Sequence, residues 1–133
     1  MRILRVSNPA SGALLADRAA IADTSATRRK GLLKHGGLGA GEGLWIVPTE
    51  GVHTIGMKFP IDILFLSRNR TVLKACSCVP SWRFALCLSA HSVLELPAGT
   101  IEKTGTTVGD QLVLATLDTA ASSPSAGKIC AIL

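Results

Sequence analysis

One short apolar run that contains a single carboxylate constrains the fold of this chain more than any other feature. The run is Ile61–Leu66, with the sequence IDILFL, and in an extended strand its side chains would alternate between two faces. Both faces are apolar except at Asp62, and a strand of this kind is typically covered on both sides. We therefore expect Asp62 to be buried and to need hydrogen-bond donors or a cation.

The composition predicts one β-rich domain. The chain has 133 residues, of which 47% are hydrophobic and 17% charged, and its 13 glycines separate short apolar runs. We expect an α+β, β-rich fold with a mostly antiparallel sheet, barrel-like or a sandwich, and one or two short helices. The domain is expected to span residues 1–118. Residues 119–133, rich in Ala, Ser, Pro and Gly, are expected to form a disordered tail.

The order of apolar runs and turn residues predicts the elements along the chain. An N-terminal hairpin should end with one or two strands over Ala13–Ala22, and a long loop should start at Pro80. Helices are expected at Ala26–Lys34, after N-cap residues, and at Thr100–Thr104. Later strands are expected at Ile61–Leu66, Val72–Val79, Ser92–Leu96 and Gln111–Leu117.

The charge distribution argues against a dedicated nucleic-acid-binding protein. The chain carries 14 basic and 9 acidic residues, a net charge of +5, and most of these charges are scattered. A tight basic cluster consists of Arg28, Arg29, Lys30 and Lys34. It is typical of the solvated face of a surface helix, and it could contact about four phosphates, which would give only weak, salt-sensitive binding.

The cysteines are expected to be free thiols. They are Cys76, Cys78, Cys87 and Cys130, without a CxxC pair or a nearby pair of histidines, so we expect no metal site and no cofactor. No apolar run reaches the ~18 residues of a membrane helix, and the first residues lack the apolar core of a signal peptide. We therefore expect a soluble, cytoplasmic protein with reduced thiols.

Five stretches of the chain match the pattern of one family: Gly31–Leu33, Glu42–Pro48, Val52–Leu66, Pro80–Phe84 and Leu94–Leu112. Together they resemble the mainly prokaryotic domain of unknown function 192. The resemblance runs from Ile3 to Leu117 and implies a compact, β-rich single domain with no established activity. The chain departs from the family pattern at Ser67, which replaces a frequent acidic residue, and at Ser81, which separates a proline from Trp82.

Three residues are candidates for catalysis: Asp62, Glu95 and His53. Asp62 and Glu95 are carboxylates within apolar strands, and if they converged, their mutual repulsion would raise one pKa, as in a general acid–base pair. His53 could serve as a base beside them. The alternative is that each carboxylate accepts hydrogen bonds from backbone amides or pairs with an arginine, and that His53 is structural.

The residues around the central strand favour a binding or accessory module. We expect a polar pocket that holds a small polar or anionic ligand, or a peptide end. Asp62 should lie at its base, with Arg83 as the best-suited partner because its guanidinium can engage both carboxylate oxygens. Two rival hypotheses are a hydrolase-like enzyme and a weak nucleic-acid accessory protein. The pocket-lining candidates are His53, Lys58, Asp62, Trp82 and Arg83.

Overall fold

The computed structural model of the protein describes residues 2–24 and 38–117, and these form a β-rich fold with one short helix. We number the elements in chain order. The strands are β1 Ile3–Asn8, β2 Ala13–Ala22, β3 Glu42–Ile46, β4 Gly51–His53, β5 Ile61–Leu66, β6 Val72–Val79, β7 Phe84–Leu86, β8 Ser92–Pro97 and β9 Val113–Leu117, and the helix is α1 Thr100–Thr104.

Seven of these strands form one mixed sheet in the order β6-β5-β8-β3-β2-β1-β9. The β2 and β3 strands are parallel, whereas the other neighbouring strands in the sheet are antiparallel. The remaining two strands pair with each other as a small antiparallel sheet, which we call the β4–β7 sheet. The predicted β-rich α+β class and the mostly antiparallel pairing are confirmed.

The large sheet is not a closed barrel. Its edge strands are β6 and β9, and within the described residues they approach each other at one corner through an isolated bridge between Thr71 and Gln111. Backbone hydrogen bonds from Val72 N to the Asp110 carbonyl, 2.8 Å, and from Leu112 N to the Arg70 carbonyl, 2.9 Å, strengthen this corner. The sheet therefore curls without completing the ring that a barrel requires.

Both faces of β5 are buried, as its apolar pattern predicts. Leu64 and Leu66 belong to one core cluster, which the β1–β2 hairpin and Ile101 of α1 complete. Ile63 and Phe65 belong to a second cluster on the opposite face, against which the inner side chains of the β4–β7 sheet pack. All six side chains from position 61 to position 66 are buried. The β4–β7 sheet is thus a cover over one face of the large sheet.

The N-terminal hairpin is also confirmed, with β2 as one ten-residue strand rather than two. The register between β1 and β2 shifts between Leu4 and Val6 and again between Val6 and Ser7. These irregularities let Asp17 and Arg18 stay on the same strand while their amides donate to the Gly41 carbonyl at 3.0 and 2.9 Å. A polar interruption in the sequence is therefore absorbed by irregular pairing and does not break the strand.

One expectation differs from the structure, and others concern segments outside the described residues. The segment after Pro80, expected to be a long loop, contains the short strand β7. Its residues alternate between exposed and partly buried positions. The helix expected at Ala26–Lys34, with its basic residues Arg28, Arg29, Lys30 and Lys34, lies outside the described residues, as do Cys130 and the expected tail at 119–133. The predicted helix over Thr100–Thr104 is confirmed.

Candidate functional site

Asp62 is fully buried, and both of its carboxylate oxygens accept hydrogen bonds from backbone amides. Cys78 N donates to Oδ1 at 2.7 Å, and Ile101 N donates to Oδ2 at 2.8 Å. Cys78 has a φ of 50° and lies at a β-bulge, where β6 has one residue more than β5 between their paired positions. The first bond therefore gives the Cys78 amide an acceptor. The second satisfies an amide in the first turn of α1, where negative charge is favourable.

The expectation that Arg83 pairs with Asp62 is therefore wrong, and the alternative that backbone amides satisfy this carboxylate is confirmed. Arg83, Lys58 and His53 are exposed, whereas Asp62 has no exposed surface and its acceptors are occupied by Cys78 and Ile101. Asp62 consequently does not share a surface with the four other residues predicted to line a pocket. It follows that this carboxylate connects β5, β6 and α1, and its position explains its presence in an apolar strand.

Glu95 lies on the opposite face of the sheet from Asp62. It pairs with Ile63 on β5, whereas Asp62 pairs with Leu96, and neighbouring residues of a strand point in opposite directions. The two carboxylates therefore do not converge as a general acid–base pair.

Glu95 is nevertheless chemically unusual. Its side chain is only 3% exposed, its Oε1 atom has no hydrogen-bond partner, and burial raises its pKa from 4.5 to about 7. Desolvation disfavours the charged form of a carboxyl, so the neutral acid is the form that this environment favours.

The other predicted binding residues gather at one end of the β4–β7 sheet. His53 is exposed on β4, and its ring centroid lies 6.2 Å from that of Phe84 on β7. Trp82 and Arg83 immediately precede β7 and are both exposed, and Trp82 has a φ of 65°. Lys58, also exposed, follows Met57, whose carbonyl accepts a hydrogen bond from Ser81 Oγ at 2.6 Å.

Thr54 holds this arrangement together. It is 1% exposed, and its Oγ1 donates to the Pro80 carbonyl at 2.7 Å and accepts from Arg83 N at 2.9 Å. Its backbone amide donates to the Arg83 carbonyl at 2.9 Å, and its carbonyl accepts from Trp82 N at 3.2 Å. Four hydrogen bonds to one residue therefore fix the backbone that carries the exposed tryptophan and arginine.

A row of large apolar side chains, which the sequence reasoning missed, extends from this point. We call Trp82, Phe84, Leu86 and Leu88 the outer patch, and their exposed fractions are 67%, 77%, 56% and 72%. Between them, Ala85 and Cys87 pack against the core. The alternation at every second position from 82 to 88 was the available signal. In the structure the strand itself spans Phe84–Leu86, and both of these large side chains are exposed.

The structure also contains a polar groove of about 640 Å³ at one end of the large sheet. The groove is lined by Pro48, Thr49, Glu50, Arg68, Ser89, Ala90 and His91.

The described residues contain no group of three or more His, Cys, Asp or Glu side chains that could hold a metal ion. Within the same ranges, Cys76, Cys78 and Cys87 are free thiols, and no helix is long and apolar enough to cross a bilayer.

Comparison with known families agrees with the motifs in the sequence. Residues 6–114 match the model of the DUF192 family, described as "Uncharacterized ACR". The chain belongs to this family. A comparison with curated proteins gave no match. Membership of this family therefore supports a β-rich single domain, and it assigns no biochemical activity to the chain.

Two crystal structures share the fold. One is a protein of unknown function from Novosphingobium aromaticivorans, with a TM-score of 0.71 and 24% identity over 83% of this chain and 82% of that one. The other, from Sinorhizobium meliloti, is named a "putative transcription regulator" and has a TM-score of 0.72 and 22% identity over 84% of this chain and 91% of that one. At these identities the likeness establishes the fold alone.

Replacing Asp62 with asparagine should destabilise the protein. The amide can accept only through one atom, so the amide of Cys78 or Ile101 would lose its acceptor at a buried site. We expect a loss of about 1–3 kcal/mol in the free energy of unfolding, measured by urea denaturation. The control is Asp17→Asn, which removes an exposed pair with Arg18 and should cost less than about 1 kcal/mol. Equal losses in the two variants would contradict the assigned role.

The stability of the protein should depend on the ionisation of Glu95. Its folded pKa of about 7 exceeds the ordinary value of 4.5, so the folded state binds this proton more tightly than the unfolded state. The protonated Glu95 side chain stabilises the folded state fully below pH 4.5. This contribution to the free energy of unfolding, roughly 3 kcal/mol, is lost as the pH rises to about 7. Glu95→Gln should remove this pH dependence in denaturation curves, whereas Glu50→Gln, at an exposed position, should keep it. A Glu95→Gln variant with the wild-type pH profile would exclude this origin.

Replacing Thr54 with valine should loosen the segment that carries Trp82 and Arg83. Valine keeps the shape of threonine but removes the hydroxyl that contacts Pro80 and Arg83. We expect a loss of about 1–2 kcal/mol in stability and faster amide hydrogen exchange at Trp82 and Arg83. Thr116→Val, at an exposed position on β9, should change neither quantity, and unchanged exchange in Thr54→Val would show that the hydroxyl is dispensable.

Proposed function

We propose that the protein is a binding module that holds a segment of a partner protein on the outer face of the β4–β7 sheet. The segment would carry apolar side chains together with carboxylates. The observation that carries this proposal is the outer patch, in which four large apolar side chains are each more than half exposed. A group of exposed large apolar side chains favours an interaction site on the surface of a protein.

The support beneath the outer patch favours recognition of a partner. Hydrogen bonds to Thr54 fix the backbone at Trp82 and Arg83, so the segment is ordered before a partner arrives. A preordered surface loses less conformational entropy on binding than a mobile one. Tryptophan and arginine are also the residue types that most often dominate binding energy at protein interfaces.

The charge around the outer patch is basic at its Trp82 end. Lys58, Arg83 and His53 lie at that end, whereas the exposed Glu50, whose carbonyl accepts from Cys87 N at 2.8 Å, borders the other end. Positive groups beside apolar surface favour a partner segment in which carboxylates flank apolar residues. The same positive charge disfavours a second copy of this chain at the patch, because the two sets of cations would face each other.

Selection from a library of random peptides tests the proposal. The full chain is immobilised, bound peptides are sequenced, and their affinities are measured by calorimetry at low and physiological salt. We expect enriched peptides that combine Asp or Glu with Leu, Phe or Trp, and affinities that fall with salt. Phe84→Ser should weaken binding by about tenfold or more, because Phe84 is the most exposed side chain of the patch, at 77%.

The matched control is Val108→Ser, which removes a side chain that is 61% exposed in a turn outside the patch. It should leave peptide affinity unchanged. Arg83→Glu should weaken binding of the acidic peptides and reduce its salt dependence. The proposal fails if no peptide is enriched, if enriched peptides are basic, or if Phe84→Ser binds as well as the wild type. If the wild type is a dimer and Phe84→Ser is a monomer, the occupant of the outer patch is a second copy of this chain and not a segment of another protein.

A further inference from the structure

The strand β7 has a neighbouring strand on one side only. Within the described residues the β4–β7 sheet consists of two strands, so the side of β7 that faces away from β4 has no partner strand there. We call this side of Phe84–Leu86 the open edge. The backbone N–H and C=O groups along such an edge form a template on which another extended chain can pair.

The direction of the backbone groups in β7 follows from its pairing with β4. Arg83 directs its carbonyl towards β4, where Thr54 N donates to it at 2.9 Å. Backbone groups alternate in direction along an antiparallel strand, so Ala85 also faces β4. Phe84 and Leu86 therefore direct their N–H and C=O groups to the open edge.

The Leu86 carbonyl confirms this direction, and it has an exposed donor. Lys74, an exposed residue of β6, donates from Nζ to the Leu86 carbonyl at 3.0 Å. The same Nζ lies 5.8 Å from the centroid of the Phe65 ring, so the lysine extends from the covered face of the large sheet to the open edge. A long exposed side chain thus occupies an acceptor that the backbone amide of an incoming strand could use instead.

The surroundings of the open edge favour a particular pattern of side chains in an incoming strand. Phe84 and Leu86 are 77% and 56% exposed on the outer face, and residues that pair opposite them would place their side chains on that same face. The residue between would point the other way, towards the large sheet, where Lys74 lies. Apolar side chains suit the first positions, and a carboxylate suits the position that meets the ammonium group.

We propose that the partner segment binds as an added strand along the open edge, with a carboxylate between two apolar residues. This inference rests on the proposed function, since it gives the conformation and register in which the segment is held. The backbone of the segment bonds to Phe84 and Leu86, its apolar side chains extend the outer patch, and its carboxylate pairs with Lys74. In strand addition, main-chain hydrogen bonds supply affinity and alternate side chains supply specificity.

Backbone methylation of a bound peptide tests the proposal. The probe is the tightest-binding peptide from the library selection, remade as a series in which one amide at a time carries an N-methyl group. An added strand uses the amide of every second residue, so affinity for the full chain should fall by about tenfold or more at alternate positions and change little between them. Sensitivity at the apolar positions indicates an antiparallel strand and sensitivity at the acidic position a parallel one, and either result supports the proposal.

Amide hydrogen exchange of the full chain provides a second readout. Bound peptide should slow exchange at the amides of Phe84 and Leu86, because both gain acceptors. The Ala85 amide is the internal control, since it already faces β4 and its exchange should change little.

A double-mutant cycle tests the pairing with Lys74. The wild type should bind the peptide about threefold or more tightly than a version in which the central carboxylate is replaced by its amide. Lys74→Met should bind the two peptides equally. The matched control is Lys103→Met, which removes an exposed lysine on α1 and should keep the preference of the wild type.

The outcomes separate this proposal from the proposed function. If the selection yields no peptide, both fail. Peptides that bind but tolerate N-methylation at every position, or lose affinity equally at adjacent positions, would overturn strand addition and leave the proposed function standing. A carboxylate preference that Lys74→Met retains would overturn the proposed register. Slow exchange at Phe84 and Leu86 in a peptide-free dimer would assign the open edge to a second copy of the chain and overturn the proposal.

Discussion

The architecture depends on one buried carboxylate that connects three elements. Asp62 sits in β5 and accepts hydrogen bonds from the amides of Cys78 in β6 and Ile101 in α1. The extra residue of β6 needs an acceptor because it lies outside the regular ladder, and the first turn of a helix needs one because its amides have no partner within the helix. One side chain meets both needs at a point with no access to solvent.

Asp62 is buried and both of its oxygens are occupied, so it belongs to the stable core and not to the proposed binding surface. The β4–β7 sheet carries that proposed surface, since Val52 and Ala85 pack against the core while Phe84 and Leu86 are exposed.

Patterns within the sequence were sufficient to predict much of the fold. The burial of β5, the extent of β6 and the short helix α1 follow from local alternation, turn residues and glycine spacing. The partners of Asp62 could not be predicted in this way, because they lie 16 and 39 residues away along the chain and are backbone groups, which any residue offers. The opposite orientation of Asp62 and Glu95 likewise depends on strand register, which the sequence does not state. The strand β7 was missed because only three residues sustain it.

The order of strands in the large sheet also has a consequence for how the chain reaches this structure. The β1–β2 and β5–β6 pairs join neighbours in sequence, but β1 also pairs with β9, so that Ile3 lies opposite Leu117. Closing such distant segments requires the loss of much chain entropy before any contact compensates for it. Topologies dominated by distant pairing fold on timescales of about milliseconds to seconds, far slower than helical domains of the same size. The pairing of β9 with β1 should therefore form late, with β1 exposed as a temporary edge of the sheet until it does.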